Sequence, residues 1–119
     1  MPKTLPMVDI AAPVCCAPVA AGPVDDTAAL EIALRLKALA DPVRVKLVSL
    51  LFGSAEGEEC STDLAAAVGL SESTVSHHLT QLRRAGLVAS ERRGMNVYHR
   101  PRPDALVALC SVLDPNCCT

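Results

Sequence analysis

Apolar residues between positions 72 and 85 recur at spacings of four and three, as Val75, Leu79 and Leu82. That spacing lines one face of an α-helix. Ser71 supplies a capping hydroxyl ahead of it and Gly86 ends it. A shorter helix is expected to open at Cys60-Ser61-Thr62-Asp63 and run through Val68, with Gly69 as its stop. Asp41-Pro42 marks another start, because Asp caps and Pro suits the first turn, and a mostly apolar helix follows from Val43 to Phe52. Asp25, Asp26 and Thr27 precede Leu30, Ile32, Leu34, Leu36 and Leu39, which are apolar nearly all round. A helix of that kind packs on its own core and on a partner.

Residues 53–59 read as a loop. Leu87–Arg92 and Asn96–Arg100 read as two strands joined by a turn at Arg93-Gly94-Met95. Pro103–Leu113 reads as a last helix with Leu106, Leu109, Cys110 and Leu113 on one face. Residues 1–24 hold five prolines and no helical period. The expected organisation is an irregular arm over 1–24, one domain over 25–114 and a flexible tail over 115–119. The fold class expected is mainly α with a small β-hairpin.

The 119 residues suit a single domain. With Phe52 and Tyr98 as the only aromatic residues, the core must be built from Leu, Val, Ile and Ala. A small core of that kind favours pairing into a homodimer. No apolar run reaches the length of a membrane span, so no membrane partner is expected. Pro6, Asp9 and Pro13 interrupt the first apolar stretch, which makes it a poor secretion signal. A cytoplasmic location follows, in which six cysteines act as metal-binding or redox groups rather than staples. No nucleophile–base pair, phosphate loop or metal–water site points to an enzyme, and no organic cofactor is expected.

A net charge of −2 is unusual for a nucleic-acid binder, but the charge is unevenly spread. Residues 71–102 carry six arginines against Glu72 and Glu91, a balance of 6 − 2 = +4. All three histidines lie there too. Local charge governs binding more than the total, although a solvated surface would look the same by charge alone. Two short helices across Gly69-Leu70-Ser71 form a helix-turn-helix pattern. Opposite its apolar stripe the second helix carries Ser73, Thr74, Ser76, His77, His78, Thr80 and Gln81. These hydrogen-bonding side chains suit the major groove of double-stranded operator DNA. Of the two histidines, His78 serves equally well as a structural residue. Arg92 and Arg93 on the hairpin are candidates to clamp phosphates or enter a minor groove.

Three stretches carry a resemblance: Leu39-Ala-Asp-Pro-Val-Arg-Val-Lys-Leu-Val, Asp63-Leu-Ala, and Ser71-Glu-Ser-Thr-Val-Ser-His-His-Leu-Thr-Gln-Leu-Arg-Arg-Ala-Gly-Leu-Val. Together with the glycine-centred hairpin ending at Tyr98, they resemble the ArsR/SmtB family of metal-responsive repressors over about residues 27–113. The resemblance implies a dimeric winged helix-turn-helix repressor with its first and last helices at the dimer face. It also implies an inducer that lowers DNA affinity.

Thiolates suit soft or borderline ions. As(III) and Sb(III) take three sulfurs in a pyramid, and Cys15, Cys16 and Cys60 supply three. A disulfide between the adjacent Cys15 and Cys16 would need a strained ring. Many family members resemble one another in a Cys-x-Cys-Asp-Leu stretch, matched here by Cys60-Ser61-Thr62-Asp63-Leu64, with Thr62 in the second cysteine's place. The arm cysteines then act as replacements. About ten residues separate Cys16 from the first helix, roughly 30 Å when extended, so Cys60 of either subunit is within reach; similarity to arm-using relatives favours the partner's. The family's other site, of Asp and His on the last helix, finds only Asp104 here.

The thiols also have plainer readings. Cys15 and Cys16 would then be an inert pair, and Cys60 a small buried hydrophobe. Cys110 belongs to an apolar stripe and reads as core before ligand. Cys117 and Cys118 sit at the end of the chain and would scavenge metalloid, form a second metal site with Cys110, or do nothing. The expected function is repression by the metalloid-free dimer, with release by As(III) or Sb(III). The alternatives are a repressor sensing thiol oxidation or Cd(II), Pb(II) or Zn(II), and a metalloid-binding accessory protein that does not bind DNA.

Overall fold

The computed structural model describes residues 9–14 and 18–114. Among them the helices are α1 (Asp26–Leu39), α2 (Pro42–Phe52), α3 (Ser61–Val68), α4 (Glu72–Arg84) and α5 (Pro103–Leu113). The strands are β1 (Glu59–Cys60), β2 (Val88–Arg93) and β3 (Asn96–Pro101).

The helix starts follow from their caps. Asp25 accepts from the Ala28 N–H at 2.8 Å. Asp41 accepts from Val43 at 2.8 Å and Arg44 at 3.3 Å. Burial opposes the charge on Asp41, but those two N–H bonds, with His78 and Arg44 nearby, hold its carboxyl below the usual range. Ser71 accepts from Thr74 at 3.1 Å and so starts α4. Between α3 and α4, Gly69 takes a left-handed φ of 71°, a conformation that costs any residue with a Cβ, and its N–H bonds the Ala65 carbonyl at 2.9 Å.

The main core is the meeting of α2, α3, α4 and the base of the hairpin. Leu47, Leu51, Leu64, Val75, Leu79 and Leu82 are all buried there with Leu87 and Val88. The predicted stripe Val75, Leu79 and Leu82 is therefore the buried face of α4. Strand order is β1-β3-β2, antiparallel throughout.

Three features differ from the expectation. The end of the 53–59 loop is a strand: Glu59 pairs with His99 and Cys60 with Tyr98. Two residues are too few to show a period of two. On α5 the buried residues are Ala105, Leu109 and Val112, while Leu113 is 40% exposed. This helix is apolar on most sides, and two stripes at spacings of three and four compete on it.

The third difference is the arm, which is irregular but seated on the domain. Ile10 packs against the main core, and buried Val14 joins Ile32, Leu109 and Val112 between α1 and α5. Arg35 of α1 is buried and donates to the carbonyls of Glu31 and Ala12, both at 2.9 Å. The Ala11 carbonyl oxygen lies 2.1 Å from where a Cβ on Gly86 would stand, and Gly86 has a φ of 75°. A short 3-10 turn follows at Val19–Ala21.

Candidate functional site

Helix α4 presents its polar face outward. Ser73, Thr74, Ser76 and His77 are exposed, opposite the buried Val75 and Leu79. Two hydroxyls near this face are partly engaged. Ser71 donates to Thr74 Oγ1 at 2.9 Å, and Thr80 donates back to the Ser76 carbonyl at 2.9 Å. Ser73, Ser76 and His77 form the part of the face best able to reach out. His78 is half-buried, its Nδ1 accepting from Arg44 Nε at 3.1 Å, which ties α4 to the first turn of α2. That is the structural role the sequence left open for it.

Gln81 is also half-buried. It lines a cavity of about 570 Å³ with Leu34, Lys37, Arg44 and Arg84, away from Ser73 and Ser76.

The hairpin brings up two arginines in different states. Arg92 is exposed, with its Nε 3.4 Å from the Gly94 carbonyl. Arg93 is tethered. It pairs with Glu58 in the loop before β1 and with Glu91 at 3.1 Å, and its guanidinium stands 4.7 Å over the Tyr98 ring. The Arg93 hydrogen bond holds the Glu58 carboxyl below its usual range. Arg92 is thus the readier phosphate contact. Arg83, Arg84 and Arg100 are exposed, and neither they nor Arg92 make a salt bridge among the described residues.

Of the predicted thiols, Cys60 is described as a free, half-buried cysteine between β1 and α3. It occupies the N-cap position of α3, and its side chain makes no capping bond. Thr62, two residues on, donates to Glu72 and so links α3 to the start of α4. Cys110 is half-buried on α5 and is disulfide-bonded. Cys15, Cys16, Cys117 and Cys118 lie outside the described residues. Among the described residues no three His, Cys, Asp or Glu side chains come together as a metal site. The described part of the chain therefore supplies one free thiol, and a three-thiolate site needs two more from elsewhere.

One polar residue between the helix pair and the hairpin had no signal in the sequence. His99 on β3 is 5% exposed, and both ring nitrogens meet serine hydroxyls: Nε2 with Ser61 at 2.8 Å and Nδ1 with Ser90 at 2.7 Å. Burial, then the nearby Arg83 charge, lowers its pKa and keeps the ring neutral. No periodicity marks such a residue, because neither polarity nor burial alternates along β3.

A helix pair with an exposed hydrogen-bonding second helix and a flanking hairpin defines a winged helix-turn-helix domain. Residues 41–90 match the bacterial regulatory protein, arsR family. The arsenic resistance transcriptional regulator ArsR1 of Pseudomonas putida is 41% identical over 68 residues, 57% of this chain and 52% of that protein. The biofilm growth-associated repressor of Agrobacterium fabrum is 33% identical over 91 residues, 76% of this chain and 75% of its own. This chain belongs to the arsR family, a family of transcriptional regulators. Against several curated relatives, the Pseudomonas protein among them, it spans about half to three-fifths of their length.

Two solved structures extend the likeness. The homodimeric winged helix-turn-helix domain Mb0332 of Mycobacterium bovis superposes with a TM-score of 0.60 at 34% identity, covering 76% of this chain and 84% of that one. The antimony-specific repressor AntR gives a TM-score of 0.61 at 31% identity, over 81% and 88%.

Proposed function

We propose that this protein is a homodimeric repressor that binds operator DNA when metalloid-free and releases it when As(III) or Sb(III) binds Cys15, Cys16 and Cys60. The observation that carries the reading is the placement of Cys60. A free thiol stands where β1 becomes α3, on a short segment that joins the hairpin's sheet to the helix pair. Ligation there acts on both DNA-contacting parts at once. An arsenic resistance regulator and an antimony-specific repressor among the similar proteins support the choice of inducer. Three sulfurs satisfy As(III), whereas Zn(II) prefers four ligands.

DNA contacts are assigned to Ser73, Thr74, Ser76 and His77 in the major groove and to Arg92 at phosphate, with Gln81 and Arg93 in supporting places. Dimerisation is assigned to α1 and α5, where Leu36, Val107 and Leu113 remain 36%, 53% and 40% exposed. The homodimeric relative supports dimerisation itself. Metalloid binding is then a coupling free energy between the thiol site and the DNA site.

The test is a titration of the fully reduced protein with As(III), Sb(III), Cd(II) and Zn(II), counting thiols lost and DNA released. Three thiols lost per As(III), with release in step, is the expected result. Thiol oxidation is the second reading, favoured by the disulfide at Cys110. Release of DNA by oxidant, with none by As(III) under reducing conditions, would select it.

A further inference from the structure

Three ties join the start of α3 to the hairpin. The β1–β3 ladder is only two residues long. The Glu58–Arg93 pair lies at the surface, with Arg93 43% exposed, where such pairs hold weakly. The third is the His99 ring, which is buried and bonded at both nitrogens. In its neutral form one nitrogen donates to a serine oxygen and the other accepts from a serine hydroxyl. Ser61 is the first residue of α3 and the direct neighbour of Cys60. Ser90 is on β2. The same ring borders a cavity of about 190 Å³ whose other walls include Ser76, Thr80 and Arg83 of α4. His99 thus touches the start of the helix pair and the hairpin, and faces the recognition helix.

We infer that His99 is the positioning residue that carries a change at Cys60 into the hairpin and the recognition helix. A shift of Cys60 moves Ser61 with it, because the two share a peptide bond. Ser61 cannot leave His99 without stranding a buried ring nitrogen, which is costly where no water replaces the hydroxyl. The ring therefore follows Ser61, and through Nδ1 it draws Ser90 and the base of the hairpin along. Replacing the ring with an apolar side chain of similar volume removes this tie while leaving the thiols and the other two ties in place. The inference rests on the reading of Cys60 as an inducer ligand.

The experiment measures As(III) binding to the reduced protein by thiolate absorbance, and DNA affinity with and without As(III). The proteins are wild type, His99→Leu, His99→Gln, Ser61→Ala and Cys60→Ser. His99→Leu is expected to bind As(III) at wild-type stoichiometry and to bind DNA. Its As(III)-induced loss of DNA affinity should shrink at least about fivefold, on the scale of ordinary allosteric couplings. Ser61→Ala should repeat that loss, and His99→Gln, whose amide keeps a donor and an acceptor, should restore part of it.

Wild-type coupling in His99→Leu, or in Ser61→Ala should the leucine variant not fold, overturns the inference. If Cys60→Ser still releases DNA as wild type does, the sensing reading fails and the inference fails with it. If Cys60→Ser is blunted while His99→Leu is not, the inference alone fails.

Discussion

The α3–α4 pair and the arm segment at residues 9–14 lie against the same domain but are held by different kinds of contact. The helix pair is fixed by a repeating apolar stripe that buries Leu64, Val75, Leu79 and Leu82. Its outward face is consequently available, with Ser73, Ser76 and His77 exposed. The arm has no repeat. Ile10 and Val14 are single anchors, Arg35 grips one carbonyl, and Gly86 clears the path of Ala11. A region held by a pattern tolerates change on its free face. A region held by isolated contacts is released by one substitution, which suits a segment that precedes the two thiols proposed as sensors.

Substitutions can break this comparison, and their expected effects fall in order. Leu79→Ala removes a fully packed side chain from beneath the recognition helix. Losses of about 2–5 kcal/mol are usual for such a change, and urea unfolding should show one in that range. A loss well below it would mean that the helix pair is not held by its stripe.

His77→Ala and Ser76→Ala act on the other face of the same helix. Each should leave the urea midpoint unchanged and cost operator binding, on the scale of about 1–3 kcal/mol for a good base contact. Wild-type DNA affinity in both folded variants would remove α4 from the proposed interface.

Gly86→Ala tests the arm. A left-handed residue with a Cβ costs roughly 1–2 kcal/mol, and here the Ala11 carbonyl must also move. Hydrogen exchange should rise across residues 9–14 and at the α4–β2 junction, with α3 unaffected. Unchanged exchange in the arm would show that its seat does not depend on Gly86.

Arg92→Ala should be the mildest change. If Arg92 meets one phosphate, the slope of log affinity against log salt should flatten by about one unit. Arg93→Ala should flatten it less, because Glu58 and Glu91 already neutralise that side chain. Equal flattening would mean that Arg93 leaves its carboxylates to meet DNA.

The order of the elements was legible where the chain repeats itself or caps its helices. Asp25, Asp41 and Ser71 all cap as their residue type predicts, and the buried stripe of α4 is the predicted one. Three things were not legible. The face that α5 buries depends on what packs against it, and its own sequence offers two stripes. Strand β1 exists only because β3 lies beside it. The roles of Arg35, Arg93 and His99 arise from partners 23, 35 and 38 residues away, which local pattern does not register. Of the candidate site, the exposed face of α4 and the free thiol at the start of α3 were read from sequence. The tether on Arg93, the inward turn of Gln81 and the His99 bridge were not.

The central claim is that Cys60 reports metalloid to the DNA face. The most direct measurement is fluorescence anisotropy of operator DNA bound to reduced wild-type and Cys60→Ser protein, titrated with As(III). Both proteins should bind the DNA equally before As(III) is added. Wild type should then release it, while Cys60→Ser should need at least about tenfold more As(III), since an alcohol is a poor ligand for a soft ion. Release of both proteins at the same As(III) concentration would contradict the account.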